Sequence, residues 1–443
     1  MPSLSTRVLT TLRDGFGYTV NFATGHVDWN RDGVFAGAGT TVRSYTNFQP
    51  GNACEFTRYN QLLLPTTSNT TVSPALGRYG TTTYLFSGGA NPLRLVSSSS
   101  AFSCPQPSNT ACGTWSSTMT LNLDATHGVD AARVTSPGGQ LALLVVTIGA
   151  SGAPQFTVRR PRTSGIPTWT TAAGIPGLPA AASEPSLVTL PDGSALLVYR
   201  RTDGLIQQAT YQHDPLAGTW IARGVALNEA GSVIAQAAQA APGLASASFT
   251  GHGPATYGLF ATGADALLEL RKLDLATWTW RPDLPLDDTN FWWRSVTGRP
   301  VGVLVPSADS AQGGRMYILT TSRDGIGDGT GRGLIMRWSY VQGGALRVGL
   351  ASGYDSWWTY SRGIDGWYDP GVDTNLRAAW SISPLTNPAR DSQIRFDPKA
   401  DGLNDYPQSD NNDWVQIAYA LCRSLVNPTG SVTNPIQCGP RPW

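Results

Sequence analysis

The sequence predicts an all-β propeller of six blades, with seven as the neighbouring alternative, and three observations predict it. The 443 residues include 49 Gly and 31 Pro, with Lys only at positions 272 and 399, a composition of many turns and few long helices. Short runs of β-branched and aromatic residues recur along the chain: TTTYLFSGG (81–89), QLALLVVTIG (140–149), SALLVYRRTDG (194–204), ATYGLFATG (255–263), RMYILTTSRDG (315–325) and LRAAWSIS (376–383). With Tyr84, Leu144, Leu197, Leu259, Tyr317 and Trp380 as markers, successive gaps are 60, 53, 62, 58 and 63 residues, the size of one blade.

Each run has the same neighbours. A shorter strand ending in a Gly turn precedes it, as in DAARVTSPGG, EPSLVTLPDGS and ASASFTGHGPA, and a polar strand and then a Trp follow: Trp115, Trp169, Trp220, Trp278 and Trp338. Continuous apolar runs are expected where a strand is covered on both faces, here by the blades on either side, and the Trp residues are expected to wedge between blades. The intervening segments, such as SSSSAFSCPQPSNTACGTW, are too rich in Ser, Pro and Gly for the amphipathic helices of a doubly wound α/β fold. The domain expectation is an N-terminal segment over 1–72, a propeller over 73–389 and a C-terminal segment over 390–443 that packs back on the first.

The stretch EPSLVTLPDGSALLVYRRTDGLIQQATY, together with Trp220, resembles a blade of the sialidase-like and related sugar-handling propellers. The resemblance implies the fold. It does not extend to catalysis: the Asp-box Ser-x-Asp-x-Gly-x-x-Trp is begun by Ser322 and Asp324 but not completed, and a sialidase's arginine triad, Tyr/Glu pair and acid Asp have no counterpart.

Thirty-one basic and thirty acidic residues give a formal charge of +1, and no basic run exists to neutralise phosphates, so nucleic acid is not an expected partner. No apolar stretch reaches the roughly 20 residues that cross a bilayer, so no membrane span is expected. A secreted monomer is expected, its leader removed before the numbering begins. Of five cysteines, Cys104 and Cys112 flank a short polar loop and Cys422 and Cys438 bracket a Pro/Gly-rich tail, spacings that suit local disulfides; Cys54 is left over. Free thiols remain the alternative.

Near the N-terminus, GHVDWNRDGVF sets Asp28, Asn30 and Asp32 at alternate positions before Gly33, the pattern of oxygen ligands with which a loop wraps calcium; the Val34 carbonyl would supply the next. The twelfth position is Gly39 in place of a bidentate Glu. Near the C-terminus, Asp397, Asp401 and Asp405 form a second candidate loop, followed by a predicted helix, DWVQIAYALCRSLV, with an apolar stripe. The two ends resemble the small calcium-bearing modules of secreted bacterial hydrolases, split apart by the propeller, and the resemblance implies calcium shared between the termini. Asx-rich turns without metal are the alternative.

No zinc, phosphate-loop, dinucleotide or nucleophile-elbow motif occurs. Aromatic and acidic residues cluster late in the chain: Trp292, Trp293 and Arg294 in one segment, and Asp355, Trp357, Trp358, Tyr360, Asp365 and Trp367 in another. Flat rings beside carboxylates suit a sugar ring, so a glycan or other cell-surface ligand is the expected partner, with structural seams as the alternative reading. For hydrolysis, two carboxylates are required, and Asp288, Asp355, Asp365, Asp369 and Glu184, at the start of an inner strand, are candidates. Three functions stay open: a calcium-stabilised glycan-binding propeller, a glycoside hydrolase or lyase, and a protein-interaction scaffold.

Overall fold

Six sheets of at least four strands follow one another along the chain in the computed structural model, each running from an inner to an outer edge. The structure describes residues 72–305 with short interruptions, together with strands at 8–9, 19–21, 26–28 and 60–62 and between 315 and 397. Two compact units divide the chain. The smaller comprises Met1–Asn60, Phe102–Cys112 and Asp397–Trp443, the larger Gln61–Ala101 and Gly113–Phe396. In the smaller, Val8–Leu9, Thr19–Asn21 and His26–Asp28 form a three-stranded antiparallel sheet.

The larger unit is a six-bladed propeller. Blade 1 runs Ala75–Tyr79, Thr82–Ser87, Leu93–Ser98 and Met119–Leu121. Blade 2 runs Gly128–Thr135, Leu141–Ile148, Pro154–Pro161 and Pro167–Trp169, and blade 3 Ser186–Thr189, Ala195–Arg200, Ile206–Gln212 and Thr219–Val225. Blade 4 follows with Gly243–Phe249, Gly253–Thr262, Leu267–Asp274 and Thr279–Leu284, and blade 5 with Val296–Val305, Arg315–Ser322, Leu334–Gln342 and Ala345–Val348. Blade 6 takes Thr359–Trp367, Arg377–Pro384 and Gln393–Asp397, and its outermost strand is Asn60–Leu62 from the start of the chain. First strands of successive blades pack side by side, and the first strand of blade 6 packs on that of blade 1, closing the ring. Radial repetition of this kind leaves each blade only short sheet edges, which limits pairing with another chain.

All six apolar runs of the sequence are second strands, and the packing explains their composition. In Leu141–Ile148, Leu144, Val146 and Ile148 join a core with Leu197 and Tyr199 of blade 3, whereas Leu143 and Val145 point the other way, into a core with Tyr84 and Phe86 of blade 1. Alternate residues of a strand face opposite sides, so a sheet covered on both sides is apolar at every position. The hairpins between strands carry their own chemistry. In Leu190-Pro-Asp-Gly-Ser194 the Gly193 N–H donates to the Leu190 carbonyl and Ser194 to the Asp192 carboxylate, with Gly193 at φ 83°, a conformation that favours glycine.

Trp residues of outer strands seal the seams. Trp169 meets Tyr84 and Phe86 of the preceding blade edge-on at 5.8 and 6.0 Å, and Trp220 meets Phe156 at 5.6 Å. In blade 4 the wedge is Trp280, not Trp278. Trp280 is wholly buried, packs edge-on against Phe260 at 4.9 Å, and donates its indole N–H to Gln208 Oε1 of blade 3 at 2.8 Å. Trp278 sits in the preceding turn at φ 58°, under the Arg223 guanidinium at 4.1 Å. Trp338 lies within the third strand of blade 5, opposite Tyr317, and does not follow that strand as the repeat predicts. Trp115 and the predicted helix over 413–426 lie outside the described residues. No described helix is long and apolar enough to cross a membrane.

Trp280→Ala should cost about 3–5 kcal/mol in chemical denaturation, from the cavity and the orphaned Gln208. Leu275→Ala, at a position 42% exposed, should change stability by less than about 0.5 kcal/mol in the same assay.

Candidate functional site

Where chain segments enter the first strands, the innermost strands carry charge into an apolar core. Asp130 interrupts the buried run of Gly128–Thr135, and Glu184 precedes Pro185 at the entrance to blade 3. A residue before proline is held extended, which sends the Glu184 backbone straight into the strand. Gly128 makes room beside it: at φ 141°, a Cβ there would lie 2.9 Å from Glu184 Cγ.

Arg299 arrives from blade 5. The register of Val296–Val305 shifts between Thr297 and Val301, Gly298 takes φ 72°, and this bulge aims the Arg299 side chain at the other blades. Arg299 is 1% exposed. Its Nη1 pairs with Asp130 Oδ2 at 2.8 Å and donates to the carbonyls of Val129 and Pro185 at 3.1 and 3.0 Å, while Nη2 donates to Pro74 at 3.1 Å. One guanidinium thus joins blade 5 to blades 1, 2 and 3. A planar fork of five donors fits such a set of acceptors, which a lysine would not.

The two buried carboxyls differ in their partners. Asp130 accepts from Ala131 N at 2.8 Å, Leu187 N at 2.6 Å and Arg299. Burial pushes its carboxyl upward and the guanidinium opposes this; all of these contacts are donors, so the carboxylate is the form they fit. Glu184 Oε1 accepts one bond, from Ser73 N at 3.1 Å, and Oε2, shielded from solvent, accepts none. Burial raises the Glu184 carboxyl above its ordinary value, Arg299 opposing only in part. Glu184 is therefore the member of the cluster that holds a proton most readily.

Glu184 lines a cleft of about 530 Å³. Its wall comes from the connections into blades 1, 2 and 3 and from the turns between second and third strands, and includes the side chains of Thr126, His127, Ser151, Ser183 and Thr202. Asp124 ties this wall together, accepting from Thr126 Oγ1 at 2.6 Å and from Ala150 N at 3.0 Å. Hydroxyl side chains and one buried carboxyl among small apolar residues can bind a donor-rich molecule of a few sugar rings' size.

Of the residues singled out in the sequence whose side chains are described, Glu184 is the one that lines a cleft. Asp28, Asp355 and Asp397 end the strands His26–Asp28, Ser352–Asp355 and Gln393–Asp397, and Tyr360, Asp365 and Trp367 belong to the first strand of blade 6; their side chains are outside the described residues. Trp292, Trp293, Arg294, Trp357, Trp358, Asn30, Asp32, Val34, Asp401, Asp405, Cys104, Cys112, Cys422 and Cys438 lie outside the described residues altogether. Among the described residues no group of three His, Cys, Asp or Glu side chains could hold a metal. Sequence reasoning missed Asp130 and Arg299. Their signal was a charge inside an otherwise apolar strand, readable in GVDAARV and TGRPVGVLV.

A six-bladed propeller with a cleft of small, hydroxyl and apolar side chains around one buried carboxyl, at the entrances of its first strands, is the class of protein that this fold and site define. No protein-family model matches the chain. Nor does any curated protein resemble it in sequence. Among solved structures it is similar to AofleA from Arthrobotrys oligospora, at 10% identity and TM-score 0.48 over 74% of this chain and 84% of that one. It is also similar to the SapL1 lectin in complex with alpha methyl fucoside, at 12% and 0.43 over 71% and 92%, and to the Hadza microbial sialidase Hz136, at 11% and 0.46 over 73% and 64%. Identities this low transfer no residue's role, and the fold rests on the sheet order given above.

Arg299→Met should destabilise the protein by about 3–5 kcal/mol by leaving Asp130 charged and unpaired, and adding Asp130→Asn should recover part of that loss in the same denaturation experiment. Glu184 sets a pH dependence. Its folded pKa lies above the unfolded value near 4.5, so its contribution to stability is complete below that value and is lost as pH rises through the higher folded one. Thermal melts of Glu184→Gln should lack this decline with rising pH, which the wild type should show.

Proposed function

We propose that the protein is a carbohydrate-binding propeller that holds glycan in the cleft above Glu184. The observation that carries this reading is the Glu184 carboxyl: nine-tenths buried, with one oxygen lacking a hydrogen bond, in a cleft lined by Thr126, Ser151, Ser183, Thr202 and small apolar residues. Sugar hydroxyls offer the donors that such an oxygen needs. The aromatic residues Trp292 and Trp357 belong to the same reading as expectations from the sequence. Binding is favoured over hydrolysis because glycosidases need two carboxyl groups across the bond, and among the described residues lining the cleft Glu184 is the one acid.

The remaining expectations belong to the same reading: an exported protein whose termini share calcium through Asp28, Asn30, Asp32, Val34, Asp397, Asp401 and Asp405, with Cys104–Cys112 and Cys422–Cys438 as local disulfides. Calcium withdrawal by a chelator should lower the melting temperature, and Asp28→Ala should abolish that sensitivity; a melt indifferent to chelation removes the calcium proposal.

Glycan-array screening followed by titration calorimetry tests the function. Saturable binding is expected, weakened about tenfold or more by Glu184→Gln and also reduced by Trp292→Ala or Trp357→Ala, without release of reducing ends. Silence across the array overturns the reading, and steady release of product converts it to catalysis.

A further inference from the structure

We infer that the cleft selects basic sugars: its preferred ligand is an amino sugar whose ammonium group pairs with Glu184, and acidic sugars are rejected. This rests on the proposed reading of the cleft as a glycan site and adds the sign of the ligand's charge.

The argument is one of charge and commitment. Glu184 is the one acid among the described residues that line the cleft, and the nearby buried Asp130 is neutralised by the Arg299 guanidinium. That guanidinium is engaged from below, on Asp130 and the carbonyls of Val129, Pro185 and Pro74, and does not line the cleft. The described wall has His127 at its exposed rim as its sole basic side chain; Thr126, Ser151, Ser183 and Thr202 are neutral. Among the described residues an entering carboxylate would meet no cation but His127 at the rim and would approach the Glu184 carboxyl. An entering ammonium meets the reverse: a carboxyl with spare acceptor capacity, in a medium where a charge-assisted bond is stronger than in water.

Geometry suits the small, donor-rich end of a sugar. Beside Glu184 the wall is built from Ala150, Gly152, Ala180 and Ala182, which leave space down to the floor. The terminal torsion of a Glu side chain is broad, so a modest rotation turns either oxygen to the cleft. Ser73 N, now on Oε1, then keeps the other oxygen anchored. Pairing with an ammonium also fixes Glu184 as the carboxylate and offsets the burial that favours its neutral form.

The test is calorimetric titration of the wild-type protein with short oligomers of glucosamine, N-acetylglucosamine and galacturonic acid at one pH and salt concentration. Glucosamine oligomers should bind about tenfold or more tightly than their N-acetylated counterparts, with no measurable binding of the galacturonate. Glu184→Gln, with its fold checked by circular dichroism, should bring the glucosamine affinity down to that of the N-acetylated form. Equal affinity for the acetylated oligomer, tighter binding of galacturonate, or an unchanged preference in Glu184→Gln overturns the inference while leaving a glycan site standing. Failure to bind any of the three, with silence across the array, overturns both.

Discussion

The ring depends on a single buried arginine. First strands of a propeller converge, and their entrance carbonyls face one another with no neighbouring strand to supply N–H donors on that side. Arg299 resolves this for three blades at once, spreading its Nη groups over Pro74, Val129 and Pro185 while neutralising Asp130. Asp130 in turn accepts the Leu187 N–H of blade 3. An ion pair so placed has a large desolvation cost, which the donors on Asp130 and the carbonyls on the two Arg299 Nη groups offset in part. It specifies which strands meet, a task that apolar packing alone does poorly.

Away from the inner strands, the seams follow a different logic. Each blade is a sheet with two apolar faces, and what joins one blade to the next is the interleaving of second-strand side chains with an aromatic from the outer strand. Trp169, Trp220 and Trp280 all serve this end, but by different contacts: ring edges for the first two, a ring edge and a hydrogen bond to Gln208 for the third. The burial of that amide and indole together satisfies both, so polar atoms deep in a seam cost little. The cleft then draws its shape from short connections whose backbones are tied by Asp124 and Gly128, which is why its walls are small side chains and main chain.

The sequence by itself determined the architecture because the physics behind it is local and periodic. A strand covered on both faces must be apolar at every residue, and a hairpin must turn at Gly or Asp-Gly, so six runs with their turns are visible without any knowledge of contacts. Glu184 too was legible, as a scarce acid at the head of an inner strand. Tertiary structure alone decided the rest. The pairing of Asn60–Leu62 into blade 6 joins residues more than three hundred positions apart, and no local pattern encodes a partner at such distance. The exchange of Trp278 for Trp280 turned on a left-handed backbone in the preceding turn. Asp130 and Arg299 read as isolated charges in the chain; they become a site only when a bulge in blade 5 brings one to the other, because the energy of a buried ion pair exists only between groups that folding has already brought within contact.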